Sequence, residues 1–126
     1  MKIDAVAVST TNISNTIKFY TLLGFDFSDA NLNDQHIEPK TPDGSARLMI
    51  DTAEMIESII GEYPNSSNHS PFAIRCDSPE EIDMICNKLK DNGFNVLKEP
   101  WDAFWNQRYA VIKDPDGYMI DLYCDL

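Results

Sequence analysis

The apolar positions of this chain follow a period of two, then of three to four, and then repeat that order. Ile3–Ser9 alternates in Val6 and Val8, which predicts a strand. Ile13, Thr16, Ile17, Tyr20 and Leu23 then fall on one helical face, with Asn12 as the cap and Gly24 as the stop. Further strands are expected at Phe25–Asp29, near Gln35–Lys40, and at Ala46–Asp51, with a turn at Thr41-Pro42-Asp43-Gly44. The second half opens on an apolar strand at Phe72–Cys76. Ser78-Pro79-Glu80-Glu81 follows as a helix start, with Ser as cap, Pro at the first position and Glu81 three residues after the cap. Ile82, Ile85, Cys86 and Leu89 form that helix's buried stripe, and Gly93 ends it. Strands are expected near Asn95–Glu99, Tyr109–Lys113 and Tyr118–Cys124, with Asp114-Pro115-Asp116-Gly117 turning before the last.

The halves align almost without gaps. Ile13 matches Ile82, Ile17 matches Cys86, Tyr20 matches Leu89, and Gly24-Phe25 matches Gly93-Phe94, all at an offset of 69. Met49-Ile50-Asp51 matches Met119-Ile120-Asp121 at an offset of 70. The pattern predicts an α+β chain of two tandem βαβββ modules in one domain spanning residues 1–126. Module one covers about 1–62, a linker about 52–70, and module two about 70–126. The linker carries a short helix, with Met55, Ile56, Ile59 and Ile60 apolar, and a polar loop at Asn65-Ser66-Ser67-Asn68. A four-stranded sheet covered by one helix leaves its other face open, and two such sheets can curl into a mixed sheet around a cleft.

Composition narrows what such a cleft is for. The chain has 21 acidic and 10 basic side chains, a net charge of -11. Nucleic acid is excluded as a partner, because a phosphate backbone attracts clustered Lys and Arg. No apolar run reaches the ~18–20 residues that cross a bilayer, and Met1–Thr10 lacks the apolar block of a secretory leader. The acidity suits solubility or the attraction of cationic small molecules. Cys76, Cys86 and Cys124 are odd in number and have no Cys-x-x-Cys spacing. They read as free thiols buried as small hydrophobes, which points to a reducing cytoplasm. No glycine-rich phosphate loop and no Gly-x-Ser-x-Gly elbow is present.

One segment is more specific. Pro100-Trp101-Asp102-Ala103-Phe104-Trp105-Asn106-Gln107-Arg108-Tyr109, followed by Asp114-Pro115-Asp116-Gly117, resembles the ending of small members of the vicinal oxygen chelate superfamily. That group includes glyoxalase I, bleomycin resistance proteins and extradiol dioxygenases. The run from Asn12-Ile13 through Phe19-Tyr20 to Leu23-Gly24-Phe25 is similar to the family's first helix. Asn106 stands where the ending usually has Gly; Asn is among the few residues that tolerate a left-handed backbone. The resemblance implies the glyoxalase/bleomycin resistance fold and a homodimer. Its metal enzymes have a His on a module's first strand and a Glu on its last. Here the first-strand positions fall on Ala5 and Pro71, and the last-strand positions on Asp51 and Asp121. Two short carboxylates make a weak set. A shifted metal site of His69, Asp51 and Asp121 is the alternative to reading His69 and His36 as loop histidines. A metal-free acid–base pair of Asp51 and Asp121 is a further reading.

Strand parity assigns the remaining candidates. Val6, Val8, Phe72, Ile74, Cys76, Ile120 and Leu122 fit the helix side. Ala5, Ala7, Met49, Asp51, Ala73, Arg75, Met119, Asp121 and Tyr123 fit the cleft side, and Trp101 and Trp105 add aromatic surface from a flanking loop. Flat rings attract planar and cationic ligands. Arg75 needs an acidic partner, with Asp51 or Asp121 available; it either forms a structural pair or orients an anionic group. The function expected is a metal-independent, cofactor-free protein that binds or sequesters a small aromatic or cationic molecule, with antibiotics among the candidates. The site residues are Trp105, Trp101, Arg75, Asp51, Asp121, Tyr123, Met119 and Ala5. The alternatives are a glyoxalase I-like metal-dependent lyase or isomerase with an altered metal site, and an interaction module whose cleft its own side chains fill.

Overall fold

The computed structural model describes all residues, 1–126. The chain divides into two compact units, Met1–Ser66 and Ser67–Leu126. Each is built on its own mixed sheet.

In the first unit, β1 (Ala5–Thr10) runs parallel to β3 (Arg47–Thr52), and β2 (His36–Ile37) pairs antiparallel on the other side of β3. Helix α1 (Ile13–Leu22) follows β1; the Asn12 side chain accepts from the Asn15 N–H at 3.0 Å and so satisfies a free helix-end donor. Val8, Ile37, Leu48 and Ile50 make the buried side of the sheet. The expected stripe on α1 is rotated. Thr16, Phe19 and Tyr20 are buried, while Ile13, Ile17 and Leu23 are only half-buried. Two contacts turn the helix this way: the hydroxyls of Thr16 and Thr10 bond at 2.7 Å, and the Phe19 and Tyr20 rings meet edge-on at 5.0 Å.

The strand expected at Phe25–Asp29 does not form; a single bridge, Asp26 to Lys40, is all that remains of it. The Asp26 carboxylate accepts from the Ser28 N–H at 2.8 Å, and Asn31 accepts from Asn33 in the same way. Such local side-chain bonds offer the backbone an alternative to a sheet ladder. The strand expected near Gln35–Lys40 shrinks to His36–Ile37, where Pro39 removes a ladder donor. The short linker helix is present as α2 (Ala53–Ile60), capped by Thr52, and it leaves Ile59 and Ile60 exposed.

In the second unit the order is β4-β7-β6-β5, from β4 (Phe72–Arg75), β5 (Asn95–Ala103), β6 (Gln107–Lys113) and β7 (Met119–Asp125). β4 is parallel to β7 and the other pairs are antiparallel. Helix α3 (Pro79–Asp91) packs on β5, β6 and β7. Ser78 caps it as expected, accepting from the Glu81 N–H at 3.2 Å, and the Glu81 carboxylate returns to the Asp77 N–H at 2.6 Å. Ile82, Ile85, Cys86 and Leu89 are all buried, over Ala110, Ile112, Ile120 and Leu122. Gly93 follows the helix at φ 80°, where a side chain would strain the backbone.

The Trp101–Tyr109 segment is not the loop expected of it. β5 continues through Trp101 to Ala103, its register shifting on both sides of Lys98, and Pro100 is accommodated beside those shifts on an edge strand. Phe104-Trp105-Asn106 is then a three-residue hairpin turn. Asn106 takes φ 66° and donates its N–H to the Ala103 carbonyl at 3.0 Å. The fold is thus α+β, with two mixed sheets of three and four strands and three helices. No helix is long and apolar enough to cross a membrane. All three cysteines are free and buried; burial pushes the Cys76 thiol up to about 12 and that of Cys86 to about 11.

Candidate functional site

Strand pairing in the second unit brings four residues into one row across the sheet. Trp101 pairs with Tyr109, Tyr109 with Tyr123, and Tyr123 with Arg75. Alternation puts this row on the face opposite α3. The Trp101 and Tyr109 rings are 5.5 Å apart, and Tyr109 and Tyr123 stack at 6.2 Å with 25° between planes. Trp105, from the hairpin turn, sets its ring 6.0 Å from Trp101 and 5.4 Å from Tyr109, both edge-on. Phe104 packs on Trp105 at 4.9 Å and is otherwise 97% exposed. Cations stand at both ends of the row: Lys98 is 5.1 Å from the Trp101 ring centre, and Arg75 is 5.9 Å from that of Tyr123.

Two carboxylates flank the row on the same face. Asp121 lies one rung away, between Val111 and Ala73. The Tyr109 hydroxyl donates to its Oδ2 at 2.5 Å and the Ser70 hydroxyl donates to its Oδ1. Burial, and then the Asp121 carboxylate, pushes the Tyr109 phenol up to about 12. No cationic side chain pairs with Asp121. Asp125 lies on the opposite flank and is paired: Arg75 donates to it at 2.6 Å and the Gln107 amide at 2.9 Å. These two donors, Gln107 first, hold its carboxyl below the usual range. Arg75 therefore does not meet Asp51 or Asp121 as its residue pattern suggested; its partner is Asp125. Met119 is half-buried opposite Lys113 at the far end of β7.

In the first unit Asp51 is buried to 8% exposure on β3. The His36 Nδ1 bonds its carboxylate at 2.5 Å, and the His36 Nε2 bonds Glu38 at 2.8 Å. Arg47 continues the chain, donating to Glu38 at 2.7 Å and to Asp4 at 2.7 Å. His36 is therefore not a loop histidine: β2 places it opposite Asp51. Glu38 first and Asp51 second raise its pKa above the ordinary 6.5. Ala5 does not sit beside Asp51. It pairs with Arg47, four residues along the strand, while Ser9 stands opposite Asp51; at ~3.3 Å per residue that is roughly 13 Å.

The residues of the shifted metal site do not assemble within either unit. Asp51 and Asp121 belong to different units. His69 is exposed and turns to the Ser70 carbonyl at 3.4 Å, and Ser70 rather than His69 reaches Asp121. Both Asp121 oxygens already accept from hydroxyls, and one Asp51 oxygen is taken by His36. No group of three or more His, Cys, Asp or Glu converges as a ligand set. Within each unit, the donors present do not form a set that would hold a divalent metal.

Two hollows lie away from these residues. One of about 310 Å³ is lined by Asp83, Cys86, Asn87, Glu99, Pro100 and Arg108, with Arg108 tied to Asp83 at 2.8 Å and Asp102 at 3.0 Å. The other, of about 590 Å³, lies in the first unit between Lys2–Asp4 and Thr41–Arg47. The residues that the sequence does not assign to the site are Ser70, Gln107, Tyr109, Asp125 and the His36–Glu38 pair. Gln107, Tyr109 and Asp125 carry a usable signal, the same strand parity that places Asp121 and Tyr123 on this face.

The family model of the Glyoxalase/Bleomycin resistance protein/Dioxygenase superfamily matches residues 2–122, and the chain belongs to that superfamily. Solved structures agree on the fold. A glyoxalase/bleomycin resistance protein/dioxygenase family enzyme from Burkholderia phytofirmans is 18% identical, with a TM-score of 0.81 and 100% of both chains covered. A glyoxalase-related enzyme from Fulvimarina pelagi is 12% identical, with a TM-score of 0.83 over 99% of this chain and 88% of that one. A lactoylglutathione lyase from Agrobacterium tumefaciens is 15% identical, with a TM-score of 0.70 over 98% and 92% of the two chains. No curated protein matches the sequence significantly. At these identities the likeness establishes the fold, and chemistry has to be argued from the site.

Proposed function

We propose that this protein binds or sequesters a small planar cation, without a metal, on the aromatic face of its second sheet. One observation carries the reading. Asp121 is a carboxylate beside an aromatic row with no cationic partner, whereas the nearby Arg75 is already paired with Asp125. A planar cation would gain ring-face attraction of ~0.5–2 kcal/mol per ring and an opposite charge at Asp121. A planar anion would meet Asp121 with Arg75 already committed, leaving only Lys98, which stands over Trp101 at the far end of the row. Cationic aromatic antibiotics fall within this class, and a homodimer is the working assembly.

Titration of tryptophan fluorescence with acridine orange, a planar cation, tests the reading against a neutral and an anionic dye of similar size. Quenching is expected for the cation alone, and Asp121→Asn should weaken it about tenfold, the equivalent of roughly 1.4 kcal/mol. Equal responses to all three charges, or an unchanged affinity in Asp121→Asn, would defeat it.

A second reading, a lyase or isomerase of the glyoxalase type, is favoured by the His36–Asp51 pair. An imidazole held by a carboxylate is suited to moving a proton. Turnover of a hemithioacetal that His36→Gln abolishes would put this reading first.

A further inference from the structure

Trp105 occupies an unusual place for an aromatic ring expected to face a ligand. It sits at the middle of a three-residue turn, between Phe104 and the left-handed Asn106, and is 44% exposed. A side chain there has little packing to hold it. Its ring nevertheless meets Trp101, Phe104 and Tyr109 edge-on, with interplanar angles of 89°, 87° and 81°.

A line of polar contacts accounts for the orientation. The Trp105 Nε1–H donates to the Gln107 side-chain carbonyl at 2.9 Å. The same amide's nitrogen donates to Asp125 Oδ1 at 2.9 Å, which fixes which way round the amide lies. Arg75 holds the other oxygen of Asp125 at 2.6 Å. Gln107 stands opposite Asp125 in the β6–β7 register, so the backbone presets the second of these contacts. The turn itself is fastened by the Leu126 N–H donating to the Asn106 carbonyl at 3.1 Å. An indole carries one donor and no acceptor, so its partner selects one orientation of the ring.

We propose that Gln107 is the positioning residue of the binding face, locking the Trp105 indole edge-on to Trp101 and Tyr109 so that its ring is set before a ligand arrives. This deepens the binding function proposed above and rests on it. Gln107 itself need not touch the ligand. It acts by removing the cost of ordering an exposed ring on binding. The expected loss in affinity on removing Gln107 is therefore a few-fold to about tenfold.

Two measurements test it. The protein has two tryptophans, so a nitrogen–proton correlation spectrum shows two indole N–H signals. In Gln107→Ala, the Trp105 signal should move upfield and exchange faster with water, while that of Trp101 stays. Acridine orange affinity should fall by the factor above in Gln107→Ala. In a Trp105→Phe background, which keeps a ring but has no N–H, Gln107→Ala should have no further effect on affinity. An unmoved Trp105 signal would overturn the proposal whatever the dye does. So would a moved signal with unchanged affinity, or an equal loss of affinity in the Trp105→Phe background. If the wild-type protein binds no cationic dye, the binding function and the pre-set ring's role in it both fail, while the indole signal still reports whether Gln107 orients Trp105.

Discussion

Asp51 and Asp121 stand at equivalent places in the repeat, yet different donors hold them: an imidazole in one case, two hydroxyls in the other. The donor sets what each site does with pH. His36 has its pKa raised, so its contribution to stability is full below the unfolded value of 6.5 and is lost as pH rises through the folded value. His36→Gln should therefore destabilise most near pH ~6, and its deficit in urea unfolding should shrink at higher pH. The imidazole is 43% exposed, so the deficit should not exceed about 1 kcal/mol. A deficit that is flat in pH would mean that the ring acts by packing alone. Thiol chemistry gives a second residue-level expectation. Burial pushes Cys76 to about 12 and Cys86 to about 11, so both should resist an aromatic disulfide reagent in the native state. All three thiols should react at once in guanidinium; rapid native labelling of Cys76 would contradict its burial. Strand parity put Asp121, Tyr123 and Arg75 on one face because it needs only a period of two. It could not find the partners, since His36 reaches Asp51 and Arg75 reaches Asp125 through strand register, which no local pattern encodes.

At the scale of elements, the second unit was legible almost throughout and the first was not. The helix at Pro79–Asp91 carried its cap, its first-position proline and its stripe in the sequence, and every one of those residues acts as read. The first unit lost a strand because Asp26, Asn31 and their neighbours satisfy backbone donors locally. The hairpin at 103–107 is hidden for a related reason: Pro100 and the aromatic run look like a loop, but register shifts beside Lys98 let the edge strand continue past the proline. Two substitutions follow from these causes. Ser78→Ala removes the acceptor for the Glu81 N–H and should cost about 1 kcal/mol in chemical unfolding. Asn106→Gly should be neutral or slightly stabilising, since φ 66° is unstrained for glycine, whereas Asn106→Val should destabilise by more than about 1 kcal/mol. Equal behaviour of the glycine and valine variants would show that the left-handed turn does not govern this hairpin.

For the whole molecule the dominant number is the net charge of -11. Most acids sit on exposed positions, where they contribute little to any one contact. Their summed field still reaches a diffusing cation, and this separates two kinds of electrostatic work that equilibrium affinity mixes together. Steering reaches only about as far as the Debye length, which falls from ~30 Å at 0.01 M salt to ~8 Å at 0.15 M. Contact with Asp121 acts at closer range and is screened far less. Stopped-flow fluorescence with acridine orange should thus show an association rate that drops steeply between these two salt concentrations, with dissociation changing little. Asp121→Asn should do the reverse, raising dissociation while leaving the salt dependence of association nearly intact. If salt acted mainly on dissociation in the wild-type protein, the broad acidity would be irrelevant to capture, and the charge that matters would reduce to the carboxylates on the aromatic face. If neither rate responded to salt and Asp121→Asn left dissociation unchanged, the bound dye would be held by its rings alone, and Asp121 would lose its place in the site.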